Sequence, residues 1–272
     1  MRIHILWISI LLIGVLTACG QTAQATDQQL TLTGSTSVGP FAEQLAERYE
    51  EHHPGSKVNI QSLGSSAGIQ AAAEGTVEIG MSSRHLEPDE EAQLQAFEIA
   101  RDALAIIVHP SNQVGDLTTE QVRQIFTGQI TNWREVGGHD APIDIVTREA
   151  GSGTYGAFEE LVMDKELPSQ SALRQGSNGA VRQIIAGDPD SIGYISLGIV
   201  NEAVKTVAVD HVQASTDAVM SGQYKLVRPF LFVQRKDATL SPLAQDFLSY
   251  VLSPEGQQEL VQAGLIQGAD AQ

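Results

Sequence analysis

The sequence is short of cysteine and of positive charge, and it lacks a membrane-length apolar run. Cys19 is its only cysteine in 272 residues, which excludes an internal disulfide and a cysteine-built metal site. Lys and Arg number 16 against 33 Asp and Glu, a formal charge of −17 at pH 7. That balance argues against nucleic acid and against an electrostatic membrane patch as partners. The one long apolar stretch, Ile5 to Leu16, follows Arg2 and gives way to polar chain. It is shorter than the roughly 20 residues of a spanning helix and reads as a signal peptide. What is present, 42% apolar and 18% charged residues, is the composition of a globular protein of one or two domains with a sizeable core.

The leader ends Leu16-Thr17-Ala18-Cys19-Gly20. This resembles the bacterial lipobox, in which the cysteine is acylated and becomes the first residue. Gln21 to Gln29 has no apolar period and reads as a tether. The expected organisation is a signal peptide over 1–18, a tether over 19–29 from a lipidated Cys19, and a folded, exported part from Leu30 onward.

The chain is organised around Arg148-Glu149-Ala150-Gly151-Ser152-Gly153-Thr154-Tyr155-Gly156, between the β-branched run Ile143 to Thr147 and a helix beginning near Ala157. A Gly/Ser/Thr loop between strand and helix aims free N–H groups and hydroxyls at one point at the positive end of the helix dipole. Arg148 adds a planar, permanently charged fork suited to an oxyanion. So acidic a chain repels small anions at long range, so an anion site must be local. Gly151, Gly153 and Gly156 also match G-x-G-x-x-G, but a dinucleotide fold wants that motif in its first βα turn. A surface loop capped by its own hydroxyls is the plainer alternative.

Three earlier strand ends carry similar loops. Leu30 to Thr33 leads into Gly34-Ser35-Thr36-Ser37-Val38-Gly39-Pro40, then a helix with Phe41, Leu45 and Tyr49 at helical spacing. Adjacent His52 and His53 read as that helix's exposed end. Lys57 to Gln61 leads into Leu63-Gly64-Ser65-Ser66-Ala67-Gly68 and a helix over Ile69 to Glu74, and Val77 to Met81 ends in Ser82-Ser83-Arg84. Open α/β sheets hold ligands at strand carboxyl ends, and four hydroxyl-rich loops there exceed ordinary turn chemistry.

Ala103 to Val108 is a near-continuous apolar run suited to a central strand, and Leu226 to Val233 is another. Between them lies a self-contained α/β stretch. It has a capping-box helix from Thr118 to about Phe126, the Arg148 strand and loop, a helix over Gly179 to Ala186 and a strand over Ile192 to Ile195. Two lobes joined by a two-stranded hinge follow, 30–107 with 223–272 as lobe I and 108–222 as lobe II. Helices over Leu243 to Leu252 and Pro254 to Ala263 close lobe I.

Leu32 to Val38, Gly64 to Gly68, Ile79 to Arg84, Arg148 to Thr154, Ile192-Gly193-Tyr194 and Ser253-Pro254-Glu255-Gly256-Gln257 together resemble the phosphate-binding lipoproteins of bacterial ABC phosphate importers, the PstS family. The resemblance runs from about Leu30 to Leu265. It implies a type II periplasmic-binding-protein fold that closes on dehydrated phosphate and hands it to a permease, without cofactor, metal or catalysis, as a lipid-anchored monomer. Carried over by position, Ser37, the Val38 amide, Ser65, Arg148, Ser152, the Gly153 amide and Thr154 become phosphate donors, with Thr36 beside them. Familiar members place a proton-accepting aspartate in the third loop. Here Ser83 stands there, followed by Arg84, as in the shorter members. Asp102, at the start of the central strand, is the replacement acceptor expected, with a structural role as partner of Arg84 as its alternative. Glu149 is the next candidate, although it should point away from Arg148.

The residues also fit three other functions. The same fold could take sulfate, molybdate or tungstate. Gly64-Ser65-Ser66-Ala67-Gly68 matches G-x-S-x-G, which would make Ser66 a hydrolase nucleophile with His211 and Asp188, Asp190 or Asp210. An adhesive surface lipoprotein with a vestigial pocket is a third class.

Overall fold

The structure, a computed structural model, describes residues 28–271. The leader, Cys19 and most of the tether therefore lie outside the described residues.

Each early element follows from its pattern. Strand β1 (Gln28–Gly34) runs into helix α1 (Gly39–His52), β2 (Ser56–Ser62) into α2 (Ser65–Glu74), and β3 (Ile79–Ser82) into the Ser83 loop. Phe41, Leu45 and Tyr49 are buried on one face of α1, as their spacing requires. His53 closes that helix, its Nδ1 donating to the Tyr49 carbonyl at 2.8 Å and its ring stacking on the Tyr49 ring at 3.9 Å. Gly68 is where α2 crosses the sheet: an added Cβ would lie 2.4 Å from the Thr33 carbonyl oxygen. Only glycine lets helix and strands approach this closely.

Helix α3 (Pro88–Gln93) leads into the 15-residue strand β4 (Leu94–Val108). After β5 (Asp116–Leu117) comes α4 (Thr119–Thr127). Thr118 Oγ1 accepts from the Gln121 amide at 3.1 Å and Gln121 Oε1 accepts from the Thr118 amide at 2.9 Å, a reciprocal capping box. Strand β6 (Asp144–Arg148) runs into α5 (Gly153–Phe158), which continues as a π-helical turn over Glu159–Met163. Then follow β7 (Leu173–Gln175), α6 (Asn178–Gly187), β8 (Ser191–Ser196), β9 (Lys205–Val209) and α7 (Thr216–Met220). The chain returns through β10 (Val227–Arg235), helices α8 (Pro242–Leu252) and α9 (Pro254–Gln262), and β11 (Ile266–Gln267).

The strand order β2-β1-β3-β10-β4-β8-β6-β7 makes one curled sheet. Its core is not continuous. Leu32, Ile79, Ile99, Ala100, Phe230, Phe232 and Phe247 belong to one hydrophobic cluster, whereas Ala103 to Val108, Phe126, Phe158, Tyr194 and Leu226 belong to another. The boundary falls between Ala100 and Ala103 on β4 and between Leu226 and Phe230 on β10. These two antiparallel strands, paired from Val227 opposite Ala103 to Arg235 opposite Leu94, join two α/β lobes. Parallel pairing of β1 with β2 and β3, and of β6 with β7 and β8, turns the strand carboxyl ends of both lobes toward the seam.

Candidate functional site

At the seam, the loops of the two lobes meet around buried hydroxyls. In the first lobe, the loop after β1 is folded by Ser35, whose Oγ accepts from the Ser37 amide at 3.1 Å and the Val38 amide at 3.3 Å. With both lone pairs taken, Ser35 donates its own hydrogen to Ser83 Oγ at 2.8 Å. Ser65, first residue of α2, accepts from the Ser83 amide at 3.1 Å and lies 3.4 Å from Ser83 Oγ. Three loops distant in sequence are thereby tied into one polar floor.

The second lobe closes onto it. Ser152 caps α5 by accepting from the Thr154 and Tyr155 amides at 3.1 and 3.3 Å. Thr154 Oγ1 lies 2.7 Å from Ser37 Oγ. The Ser66 amide donates to the Gly151 carbonyl at 3.1 Å. Gly153 sits against Ser65 and Ser83 so closely that a Cβ would be 2.2 and 2.6 Å from their hydroxyl oxygens. This is a closed cleft.

Arg148 dominates its electrostatics. It is 1% exposed. Its Nε donates to the Gln175 carbonyl at 3.0 Å, and Nη2 donates to the Gly176 carbonyl at 2.8 Å and to Thr36 Oγ1 at 3.0 Å. Its Nη1 is buried with no hydrogen-bond partner among the described residues. Arg148 also makes no ion pair with a described carboxylate, unlike buried Arg228, whose Nε and Nη2 donate to Asp102 Oδ2 at 3.0 and 2.9 Å. Two guanidinium groups and one carboxylate leave the buried cluster one positive charge in excess. Burial pulls the Arg148 guanidinium down to about 10, with the Arg228 charge adding to the effect, and it stays cationic at neutral pH. A dry, uncompensated cation with an unused donor is costly unless an anion meets it. Tyr194 backs it: its hydroxyl accepts from the Arg148 amide at 3.3 Å, and its ring stacks on Phe158 at 3.9 Å.

Of the residues expected from sequence, Thr36, Ser37, Val38, Ser65, Ser83, Arg148, Ser152, Gly153 and Thr154 all lie at this seam. Arg84 does not join it. Its Nη1 and Nη2 fork onto Glu90 at 2.7 and 2.8 Å, and its side chain lines an outer cavity of about 710 Å³. Glu87, Glu159, Glu160 and Asp164 share that wall, so the cavity suits an anion poorly. Asp102 pairs not with Arg84 but with Arg228. Its Oδ1 accepts from Ser196 Oγ at 2.9 Å, so both carboxylate oxygens are already engaged by protein. Burial pushes the Asp102 carboxyl up and the Arg228 guanidinium down, and the contact between them opposes both shifts. Glu149, just past the end of β6, is exposed and turned away from the cluster.

Four residues of the cluster escaped the sequence reading: Ser35, Asn178, Ser196 and Arg228. Asn178 Nδ2 donates to Ser37 Oγ at 2.8 Å, and Arg228 Nη2 donates to the same oxygen at 3.2 Å. The lone charge of Arg228 inside the apolar run Leu226 to Val233 was a legible signal. Nothing around Asn178 was, since the preceding strand β7 is only three residues long and carries no apolar pattern.

The hydrolase arrangement is absent from the described residues. Ser66 is exposed, His211 Nδ1 pairs with Asp116 at 2.5 Å on the surface, Asp190 takes His139, and Asp210 takes Thr119.

A family model described as a PBP superfamily domain matches residues 20–255. Phosphate-binding protein PstS of Bacillus subtilis is 31% identical over 236 residues, 85% of this chain and 78% of its own length. The Pseudomonas aeruginosa PstS is 32% identical over 278 residues, 90% of this chain and 85% of its own. The chain belongs to the PstS family. A solved phosphate ABC transporter substrate-binding protein from Clostridium perfringens, with bound phosphate, is 42% identical at a TM-score of 0.85, covering 88% of this chain and 99% of its own. An ABC-type phosphate transport receptor from Vibrio cholerae is 36% identical at a TM-score of 0.74, with the same coverage. The family is one of substrate-binding proteins, so Ser66 has no catalytic role to fill.

Proposed function

We propose that the chain binds inorganic phosphate outside the cytoplasm with high affinity and delivers it to an ABC-type import permease. The observation that carries this reading is Arg148: a buried cation with one donor nitrogen unmet, reaching across the seam to the Thr36 hydroxyl, where Ser37 of one lobe also meets Thr154 of the other. A tetrahedral oxyanion meets such a donor set, and the cluster's excess positive charge favours it over a neutral ligand. The relatives named for phosphate narrow the anion. The phosphate-contacting set is Thr36, Ser37, the Val38 amide, Ser65, Ser83, Arg148, Ser152, the Gly153 amide and Thr154. Asp102 is assigned to hold Arg228 instead of contacting the ligand. The lobes are 30–107 with 223–272, and 108–222, opening and closing about β4 and β10. Lipidated Cys19 anchors a monomer to the outer face of a bacterial membrane.

The test is calorimetric titration of the mature domain with phosphate, sulfate and molybdate in turn. Saturable phosphate binding with much weaker sulfate and molybdate binding is expected. Tighter binding of either competitor would move the protein to another oxyanion.

A further inference from the structure

Resting on the phosphate reading, one feature of the site goes beyond it. Ser37 Oγ accepts a hydrogen bond from Asn178 Nδ2 at 2.8 Å and another from Arg228 Nη2 at 3.2 Å. The amide of Asn178 is oriented by the Ser196 N–H, which donates to its Oδ1 at 3.4 Å, so its nitrogen faces Ser37. Arginine and an amide nitrogen can only donate. A serine hydroxyl has two lone pairs and one hydrogen. With both lone pairs filled, Ser37 must turn its hydrogen to Thr154 Oγ1, 2.7 Å away, or to an anion lying there.

Arg228 is itself held from behind. Asp102 faces it directly across β4 and β10 and takes two of its N–H groups, while Arg228 Nη1 reaches the Ser83 carbonyl at 3.4 Å. The pair sits at the boundary between the two hydrophobic clusters, on the strands that join the lobes. Ser196 and Asn178 approach it from the second lobe, and Ser37 and Ser83 from the first.

We propose that Asp102 and Arg228 form a hinge-borne positioning pair which, with Asn178, fixes Ser37 as an obligate hydrogen-bond donor when the cleft closes. Such a serine serves any oxyanion as a donor and cannot accept the proton of hydrogen phosphate. Proton acceptance is thereby excluded from Ser37. Asp102 acts on the ligand only through Arg228.

The test is a double-mutant cycle on phosphate affinity, read by calorimetry. The background is Arg228→Met with Asp102→Asn, which removes one charge of each sign and leaves the cluster's net charge unchanged. Ser37→Ala is made in both backgrounds. In the wild-type background it should weaken phosphate binding roughly tenfold or more, the scale of a hydrogen bond to a charged group. In the pair-deleted background the same change should cost less than about threefold, because Ser37 is no longer constrained to donate. Equal losses in both backgrounds overturn the positioning role. Should the double variant fail to fold, Arg228→Gln with Asp102→Asn carries the same cycle with hydrogen-bonding side chains in both places, because a glutamine can turn its acceptor oxygen to Ser37, and the same equality would overturn it. Failure of the wild-type chain to bind phosphate would instead strike the phosphate reading.

Discussion

Ser37 Oγ and Thr154 Oγ1 lie 2.7 Å apart although 117 positions separate them in the chain. One follows β1 in the first lobe and the other opens α5 in the second, so their contact exists only when the cleft is closed. A ligand gripped by both loops favours that form alone. Saturating phosphate should therefore shrink the radius of gyration in small-angle scattering. At about 100 times Kd it should add about 2.7 kcal/mol of stability, a melting shift on the order of 5–10 °C for a chain of this size. An unchanged scattering curve at saturation would mean that binding and closure are separate events.

Arg148→Ala removes the only cation of the cluster that lacks a carboxylate partner among the described residues. Phosphate affinity should fall by about 2–5 kcal/mol, some tens to thousands of fold. The Gln175 and Gly176 carbonyls lose their donor at the same time, so the melting temperature should fall as well. Arg148→Lys should recover only part of the affinity, since an ammonium cannot hold both carbonyls and still present a planar fork. Wild-type affinity in Arg148→Ala would place the anion elsewhere.

The fold was legible because its signals were local and repeated. The helical stripe of Phe41, Leu45 and Tyr49, the capping box at Thr118 and the apolar run Ala103 to Val108 each settle their element within a few residues. The site was legible where it is made of strand-end loops rich in Ser, Thr and Gly. Arg84 and Asp102 were harder, because a charged side chain reaches several ångströms and its partner depends on the packing of distant elements. Arg84 stands one residue after Ser83, yet its guanidinium swings out to Glu90 on α3, a helix whose short polar sequence gave no apolar period. Asp102 was expected to accept the phosphate proton, but its carboxylate is taken by Arg228, 126 positions away, a distance no local pattern spans.

That outward swing of Arg84 yields a prediction in acid. Burial alone would raise the Glu90 carboxyl, but the Arg84 hydrogen bond, the Glu87 amide and the Arg84 charge together hold it below its usual value near 4.5. A carboxyl depressed by folding adds stability that is fully present above its unfolded pKa and is lost as pH falls through its folded value. Glu90→Gln should thus lower the melting temperature near neutrality and flatten its decline between about pH 5 and pH 3. Phosphate affinity at pH 7 should stay within about twofold, since Arg84 lies outside the buried cluster. A large loss of affinity would return Arg84 to the binding set.

Gly153 offers the sharpest test of closure, because its constraint exists only between lobes. The residue begins α5, and its backbone lies outside the left-handed region that favours glycine. An alanine is therefore acceptable to its own helix, and the three atoms nearest the added methyl all belong to the first lobe. In the closed form the new Cβ would lie 2.2 Å from Ser65 Oγ, 2.6 Å from Ser83 Oγ and 2.9 Å from Ser65 Cβ. Neither serine is free to retreat, since Ser65 Oγ takes the Ser83 amide and Ser83 Oγ takes the Ser35 hydroxyl. Overpacking of this kind costs typically about 1–3 kcal/mol, which here falls on the closed state alone. Gly153→Ala should accordingly keep the melting temperature of the ligand-free protein, bind phosphate about five- to 150-fold more weakly, and show a smaller phosphate-induced contraction in scattering. If the variant binds and contracts as the wild type does, the serine floor yields to the methyl, and close approach at Gly153 is not what limits closure.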